Sequence, residues 1–495
     1  MENSVPNEEL LINITPQETR VAVVENGVLQ ELYLERKTKR GLVGNIYHGK
    51  VSRVLPSMQA AFVDIGLDKA AFLHVSDLLL TEEEKALPAA RYSDFPDITK
   101  LIHQNQQLVV QVMKDPIGNK GARLTAQITL PSRYLVLLPE TQHIGVSQRI
   151  EDVAERERLK SLVTPISQKM GVGFILRTAA ENVREKSLTT DAEYLERLWN
   201  KVNERRGYAK PGDLLYEELD LATRAIRDLV HPGVDKILID SKENHHRVKK
   251  FVGNLVPGIS SKLEYYSGER PLFDLYNIDE EIQKALERTV QLKSGGHIVI
   301  DQTEAMTTID VNTGGFVGNN NQEETIFKTN LEAAVTLARQ LRLRNLGGII
   351  IIDFIDMHDE EHKRQVLRIL EKAINKDHTK YNISNVSGLG LVQMSRHRTR
   401  ESLEHILCEP CPMCQNRGSV KTTETICYEI LREILRAARA YEAQQIMVIA
   451  SQNVVERLLD EEADSVAELE EFIKKTISFQ VEILYFQEQY DVVPV

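Results

Sequence analysis

Between Gly295 and Asp356 the spacing of hydrophobic and polar positions changes period twice, and each change predicts an element. Ile298, Val299 and Ile300 form a short apolar run that ends at Asp301, and residues 306–311 read as a second strand. Residues 302–305 turn the chain between them. Asn312, Gly314 and Gly315 stop the second strand, because glycine favours turns over extended chain. Over residues 323–344 the spacing becomes helical, with Ile326, Ala333, Ala334, Leu337 and Leu341 close to one face. Gly347 and Gly348 are the expected helix stop. Residues 349–352 are four consecutive isoleucines, the pattern of a strand buried on both faces, and Asp353 breaks the run.

The same reading extends over the rest of the chain. Residues 10–13 and 20–24 are expected strands. Short β-rich pieces separated by glycines run from Gly49 to His74 and continue at residues 108–113 and 123–125. This spacing resembles an S1 domain, an OB-fold barrel that holds single strands by stacking bases on aromatic side chains beside cations. Residues 79–100, with their charges and prolines, read as a loop inserted into it. Strands follow at 134–138 and in HIGVSQRI and GFILRTAA. Tyr194, Leu198, Trp199 and Val202 recur at helical spacing, with Trp199 read as core, and residues 217–229 repeat the pattern. Residues 236–240 and 262–266 are short strands flanking a helix through Val248 and Val252. A helix starts after Asp356 and runs to about residue 376. The last part reads as helix 424–442, strand 446–450, a second helix and strand 481–485.

A chain of 495 residues is too long for one core and implies several domains. Four cysteines at this length do not make a disulfide scaffold. The apolar runs are too short to span a bilayer, and the first residues lack a basic start before an apolar core, so a cytoplasmic protein is expected. The net charge of −12 argues against indiscriminate nucleic-acid binding, but local basic stripes decide phosphate contact.

Candidate chemistry concentrates at strand ends. A carboxylate there is costly unless something pairs with it. Asp310 and Asp353 both occupy such positions, and alternation puts Asn312 on the same side as Asp310. Together they could form an oxygen-rich pocket for Mg²⁺, which takes one or two carboxylates and keeps several waters. Spacing alone leaves open that each Asp caps a helix or binds a loop. Asp356 reads as a helix cap. Asp240 has no apparent partner carboxylate and is not read as a second metal site. Arg396, Arg398 and Arg400 could meet a nucleic-acid backbone or begin a solvated helix. Cys408, Cys411 and Cys414 form two overlapping CxxC units, but a closed four-thiolate zinc site needs a second pair. Two thiolates from each of two chains would complete it. A redox pair is set aside because no thioredoxin-like βαβ unit is apparent around the motif. Cys427 lies in an apolar helical stretch and reads as buried and inert.

TEAMTTIDVNTG, NLEAAVTLARQLRLRNLGGIIIIDFIDM and MSRHRTRESLEHILCEPCPMC closely resemble the ribonuclease E/G family, and the resemblance covers essentially the whole chain. It implies an α/β multidomain fold. Residues 1–39 and 223–287 would form a non-catalytic RNase H-like subdomain, 40–125 the S1 barrel and 126–222 a 5′-sensor region. Residues 288–407 would be a DNase I-like catalytic subdomain, 408–418 a zinc link and 419–495 a small oligomerisation domain.

By the same resemblance, Asp310 and Asp353 hold a catalytic Mg²⁺ and Asn312 assists. Phe62, Phe72 and Lys120 contact RNA, with Arg149 as a further contact. Arg177 and Thr178 grip a 5′-monophosphate, and Cys411 and Cys414 bind Zn²⁺ shared between two chains, with Cys408 as an extra candidate. An arginine that some relatives carry two residues before the Gly390 position is replaced here by Gly388, so no RNA contact carries over there.

The implied activity is a Mg²⁺-dependent, single-strand-specific endoribonuclease that leaves 5′-phosphate and 3′-hydroxyl ends. Its partners would be precursor rRNA and mRNA, and it would form a homodimer or homotetramer away from any membrane. The alternatives are a non-catalytic S1-type RNA-binding protein of translation and, by fold analogy, a Mg²⁺-dependent deoxyribonuclease.

Overall fold

The computed structural model describes residues 7–80, 95–116, 120–231, 233–255, 259–314, 322–377, 379–398 and 400–495, with side chains left out at 39, 254 and 255. Gly118, Asn119, Gly315 and most of the expected insertion at 79–100 lie outside the described residues. The chain divides into two compact units, Met1–Leu403 and Glu404–Val495.

Four sheets make the first unit. One has five strands in the order Leu263–Tyr265, Val234–Ile239, Glu8–Ile14, Glu18–Glu25, Val28–Arg36. Leu10, Ile12, Val21 and Val23 pack with helices Leu221–Leu229 and Lys242–Leu255. Asp240, just past this sheet, accepts bonds from the Asn13 side chain and the Ile14 N–H, so its role is to join strands.

The second sheet closes on itself. Ile46–Leu55, Ala60–Asp64, Ala71–His74, Arg123–Thr125 and Gln107–Lys114 pair in sequence, and the last pairs back to the first. Val51, Ala61, Val63, Leu73, Val110 and Leu124 fill this five-stranded barrel, as the S1-like spacing predicts. The third sheet, Leu130–Pro131, Leu135–Leu138, Ile144–Val146 and Gly173–Leu176, packs on helices Val153–Met170 and Glu185–Arg206. Trp199 sits half-buried against that core.

The fourth sheet carries the strand-end aspartates. Its order is Thr289–Gln291, His297–Gln302, Met306–Asn312, Gly348–Asp353, Leu391–Arg396, Tyr381–Ile383. Met306–Asn312 and Gly348–Asp353 run parallel, joined through the crossover helix Gln322–Leu343. That helix buries Ala333, Ala334, Leu337 and Leu341 against Ile298, Ile309, Ile350 and Ile352. Its other side is tied to the first sheet: Arg342 pairs with Glu25 and Glu31, and Arg339 donates to the Leu29 carbonyl.

Three expectations change. The isoleucine run is buried on one face only: Ile350 and Ile352 are fully buried, whereas Ile349 is 52% exposed. β-Branched residues suit a pleated surface whether or not both faces are covered, so the run could not report one-sided burial. The helix stop is Asn345, at φ +50°, with Leu346 N–H bonded to the Leu341 carbonyl; Gly347 and Gly348 come later.

The third change is in the second unit, where helix Thr423–Ala440 packs on strands Gln445–Ala450, Thr476–Val481 and Tyr490–Pro494. Residues 482–485 form a turn, and the missed strand Tyr490–Pro494 pairs antiparallel to Gln445–Ala450. Cys427 is fully buried in this core, as expected.

Candidate functional site

Strand pairing brings Asp310 and Asp353 level. They are direct partners across the parallel pair, on neighbouring strands that run about 4.8 Å apart in any sheet. Both are exposed, on the face opposite the helices. Residues Thr307, Ile309 and Val311 point into the core, so Thr308, Asp310 and Asn312 share the outer face. The Asn312 Nδ2 donates to Asp310 Oδ2 at 2.8 Å, which fixes the orientation of that carboxylate. Glycine makes the approach possible behind it: a Cβ on Gly296 would lie 2.6 Å from the Asn312 carbonyl oxygen, and Gly314 has φ +61°.

The segment beyond Asp353 is held from below. Asn330, fully buried in the crossover helix, donates Nδ2 to the Ile355 carbonyl at 2.8 Å, and its Oδ1 accepts the Ile355 N–H at 3.1 Å. Asp356 is not the cap of the next helix. Asp359 has that position, its carboxylate accepting the Glu361 N–H. Local sequence offers both aspartates to the same helix start, and one turn of backbone decides between them. Asp356 instead lines a cavity beside the Asp353 strand. Burial, the Asp310 charge and the Asp356 charge, in that order, push the Asp353 carboxyl above its usual range. A cation between the carboxylates relieves that repulsion.

Two carboxylates and an amide suit Mg²⁺, whose remaining positions water can fill. Among the described residues no group of three or more His, Cys, Asp or Glu side chains is placed to hold a metal.

The barrel presents a second arrangement. Phe62 and Phe72 are opposite each other on adjacent strands, half-exposed, with ring centroids 6.3 Å apart and planes at 70°. Arg53 is the strand partner of Phe62, so a cation flanks that ring; Arg123, the partner of Phe72, is held by the Asp77 carboxylate at 2.8 Å. Neither arginine was expected from the sequence. Simple alternation from the buried Val51 would have turned Arg53 toward the core; the register shift between them puts it on the phenylalanine face instead. Lys120 is exposed two residues before Ala122, whose carbonyl accepts the Phe72 N–H.

Arg177 and Thr178 follow the strand Gly173–Leu176. One Arg177 amino group donates to the Ser132 carbonyl at 2.6 Å and to Asp228 at 2.7 Å, and the hydroxyls of Thr178 and Ser147 are 3.1 Å apart. Arg149 reaches the carbonyls of Asp377 and Thr379, next to the edge of the sheet that carries the strand-end aspartates.

Arg396 is not available to a nucleic-acid backbone. It is buried, paired with Asp377 at 2.5 Å, and donates to the Leu346 carbonyl. Arg398 is exposed, and Arg400 stacks over the Tyr33 ring at 3.9 Å. Alternation along the strand Leu391–Arg396 puts every second residue into the core, and Arg396 falls on that side.

In the second unit Cys411 and Cys408 are exposed and Cys414 half-buried. The N–H groups of Cys414 and Met413, with the Cys414 thiol, hold the Cys411 thiol below the ordinary thiol range. Gln415 and Asn416 both adopt positive φ, folding the chain back so that Asn416 Oδ1 accepts the Cys411 N–H.

Comparisons with known proteins place the chain in one family. The model described as "Ribonuclease E/G family" matches residues 129–399. The model described as "RNase E/G, Thioredoxin-like domain" matches residues 410–494. Ribonuclease G of Escherichia coli (strain K12) is 56% identical over 485 residues, 98% of this chain and 99% of that protein. Ribonuclease G of Haemophilus influenzae (strain ATCC 51907 / DSM 11121 / KW20 / Rd) is 53% identical over 486 residues, again 98% and 99%. Ribonuclease E of Escherichia coli (strain K12) is 37% identical over 466 residues, 93% of this chain but 43% of that protein. The second match corrects one step of the sequence argument, since a thioredoxin-like unit does adjoin the CxxC. Gln445–Ala450 and Thr476–Val481 run parallel with two helices between them, a βαβ unit. The CxxC lies outside it, upstream of helix Thr423–Ala440.

Proposed function

Because the chain belongs to the ribonuclease E/G family, we propose that it is an endoribonuclease, a hydrolase of RNA phosphodiester bonds, with Asp310 and Asp353 as its catalytic carboxylates. The observation that carries this is their pairing across neighbouring parallel strands, with Asn312 aiming one of them. Asp310 and Asp353 would hold Mg²⁺. When bound, such an ion supplies Lewis-acid stabilisation of phosphate charge and a water of lowered pKa. The products would carry 5′-phosphate and 3′-hydroxyl ends.

The barrel would clamp single-stranded RNA between Phe62, Phe72 and Lys120, with Arg149 as a further contact. Arg177 and Thr178 would favour substrates with a 5′-monophosphate, since a guanidinium fork and a hydroxyl suit a terminal phosphate. Asp228 holds one end of the Arg177 fork and so orients the other end. Cys411 and Cys414 would share a Zn²⁺ with the same pair of a second chain, making a homodimer that the 419–495 region could extend to a tetramer. The RNase H-like, DNase I-like and 5′-sensor assignments of residues 1–407 belong to this same reading. The setting would be the cytoplasm, the substrates precursor rRNA and mRNA.

The test offers labelled single-stranded RNA, the same sequence as DNA, and an RNA duplex, each with Mg²⁺ or EDTA. Only single-stranded RNA with Mg²⁺ should be cut. Asp310→Asn and Asp353→Asn should each lower kcat by about three orders of magnitude or more while RNA binding survives. Binding without any cutting would leave the non-catalytic alternative.

A further inference from the structure

We infer that the cavity bounded by Asp356 and the 386–390 loop is a nucleobase subsite, which receives the base of a nucleotide next to the cleaved bond. The inference rests on the endoribonuclease reading above.

The cavity has a volume of 530 Å³, within the range of small-molecule sites. Its position ties it to the catalytic carboxylates. The wall begins at Phe354, the residue after Asp353, and the opposite wall ends at Gly390 and Val392, either side of Leu391, the strand partner of Asp353. At Gly390 the approach is close, because an added Cβ would lie 3.3 Å from Asp356 Oδ1. This is the carboxyl end of the parallel pair, where open α/β sheets take their ligands.

The lining selects a base over a phosphate. Met357, Leu367, Val386 and Leu389 supply apolar surface. Of the charged groups, Lys363 is paired with Glu360 at 2.7 Å, and the two charges offset each other. Asp356 has no hydrogen-bond or ion-pair partner among the described residues, and so the cavity keeps a net negative charge. A phosphate is repelled there. The flat, apolar part of single-stranded RNA is the base, and bases stack on side-chain walls whatever their sequence. An unpaired carboxylate accepts hydrogen bonds through two oxygens, so Asp356 favours the amine-bearing base guanine, whose N1–H and exocyclic amine are adjacent donors, over uracil with its single N3–H. Leu389, 85% exposed, stands at the mouth.

The experiment uses the full chain and a single-stranded RNA cut at one bond, with one abasic residue moved stepwise through the sequence. In the wild type, one position near the cut should lower kcat/KM about tenfold when its base is removed, the size of one lost stacking contact. Gly388→Trp puts a ring into open space at the mouth, since a Cβ there meets nothing within 4 Å. Its effect should be to slow the intact RNA and erase the abasic penalty. Leu389→Asp, on a side chain outside the core, should shrink the penalty too, which guards against misfolding of the tryptophan variant. Asp356→Asn should flatten the preference for guanine over uracil. In EDTA, 2-aminopurine at the sensitive position should change its emission on binding wild type and not Gly388→Trp. If no position matters, or the penalty is the same in wild type and both mouth variants, the subsite is refuted while the nuclease stands. If no RNA is cut at all, the nuclease reading fails first.

Discussion

Asp377 and Arg396 show at the scale of single residues how a motif can mislead. The sequence MSRHRTR invites an RNA-facing basic stretch, yet the Arg396 guanidinium is buried on Asp377 with both side chains 3% exposed. Burial alone would raise the Asp377 carboxyl; the Arg396 and Thr379 hydrogen bonds and the Arg396 charge outweigh it and hold it below its usual range. A carboxyl lowered in the folded state stabilises above its unfolded value, roughly pH 3.9, and that stability is lost as pH falls through the folded value. Asp377→Asn strands a buried cation and should cost about 3–5 kcal/mol at neutral pH. The loss should read as a lower melting temperature at pH 7 and a smaller gap from wild type in acid. A gap that stays constant across that window would show that Asp377 is not charged in the fold. Arg53 is the converse case, a functional candidate the sequence hid. Arg53→Gln should weaken single-stranded RNA binding by ~0.5–1 kcal/mol, as for an exposed cation beside a ring. Phe62→Ala should lose about 1–3 kcal/mol, one base stack. Equal affinities in a filter-binding titration would remove the barrel face from RNA recognition.

Among the elements, the crossover helix Gln322–Leu343 and its exit matter most. Its apolar spacing was legible because one face meets the sheet, and period 3.6 survives any fold that buries a single face. Its stop was misread because two glycines compete on paper with Asn345, and propensity favours glycine. Asn345 is placed there by what its side chain reaches: its Nδ2 donates to the carbonyls of Arg400 and Glu401, and its Oδ1 accepts from Arg396. Those partners are distant in sequence. Asn345→Gly keeps the left-handed turn and loses the bridges; Asn345→Ala loses both. The alanine variant should therefore be the less stable by about 1 kcal/mol, the cost of a left-handed backbone with a Cβ. The reverse order in thermal melts would show that the left-handed turn is dispensable.

For the whole molecule, a chain with net charge −12 and no described helix long and apolar enough to cross a membrane still offers a local cation, Arg53, beside the barrel rings. The zinc proposal also belongs at this scale, because one chain supplies only two thiolates at the expected positions. Metal analysis of the purified protein should give about half a zinc per chain, set by four thiolates per site, and Cys411→Ser should abolish both the zinc and the dimer in light scattering. A full equivalent retained by monomers would end the sharing idea.

The small barrel was legible through its likeness to an S1 domain, and its closure is seen only in the strand pairing. The periods of its apolar residues determined by themselves that this chain has a crossover helix between two strands and an aspartate at the end of each strand. Those are local properties: a strand or helix must present one apolar face, and a charge at its end must leave the core. Only the tertiary structure decided that Asp310 and Asp353 are register partners, that Asp356 faces a cavity instead of capping a helix, and that Arg396 of the basic run is buried while Arg53, far from that run, flanks an aromatic pair. Register, cavities and long-range ion pairs depend on which distant segments meet, and the free energy that chooses among them is set by packing across the whole sheet.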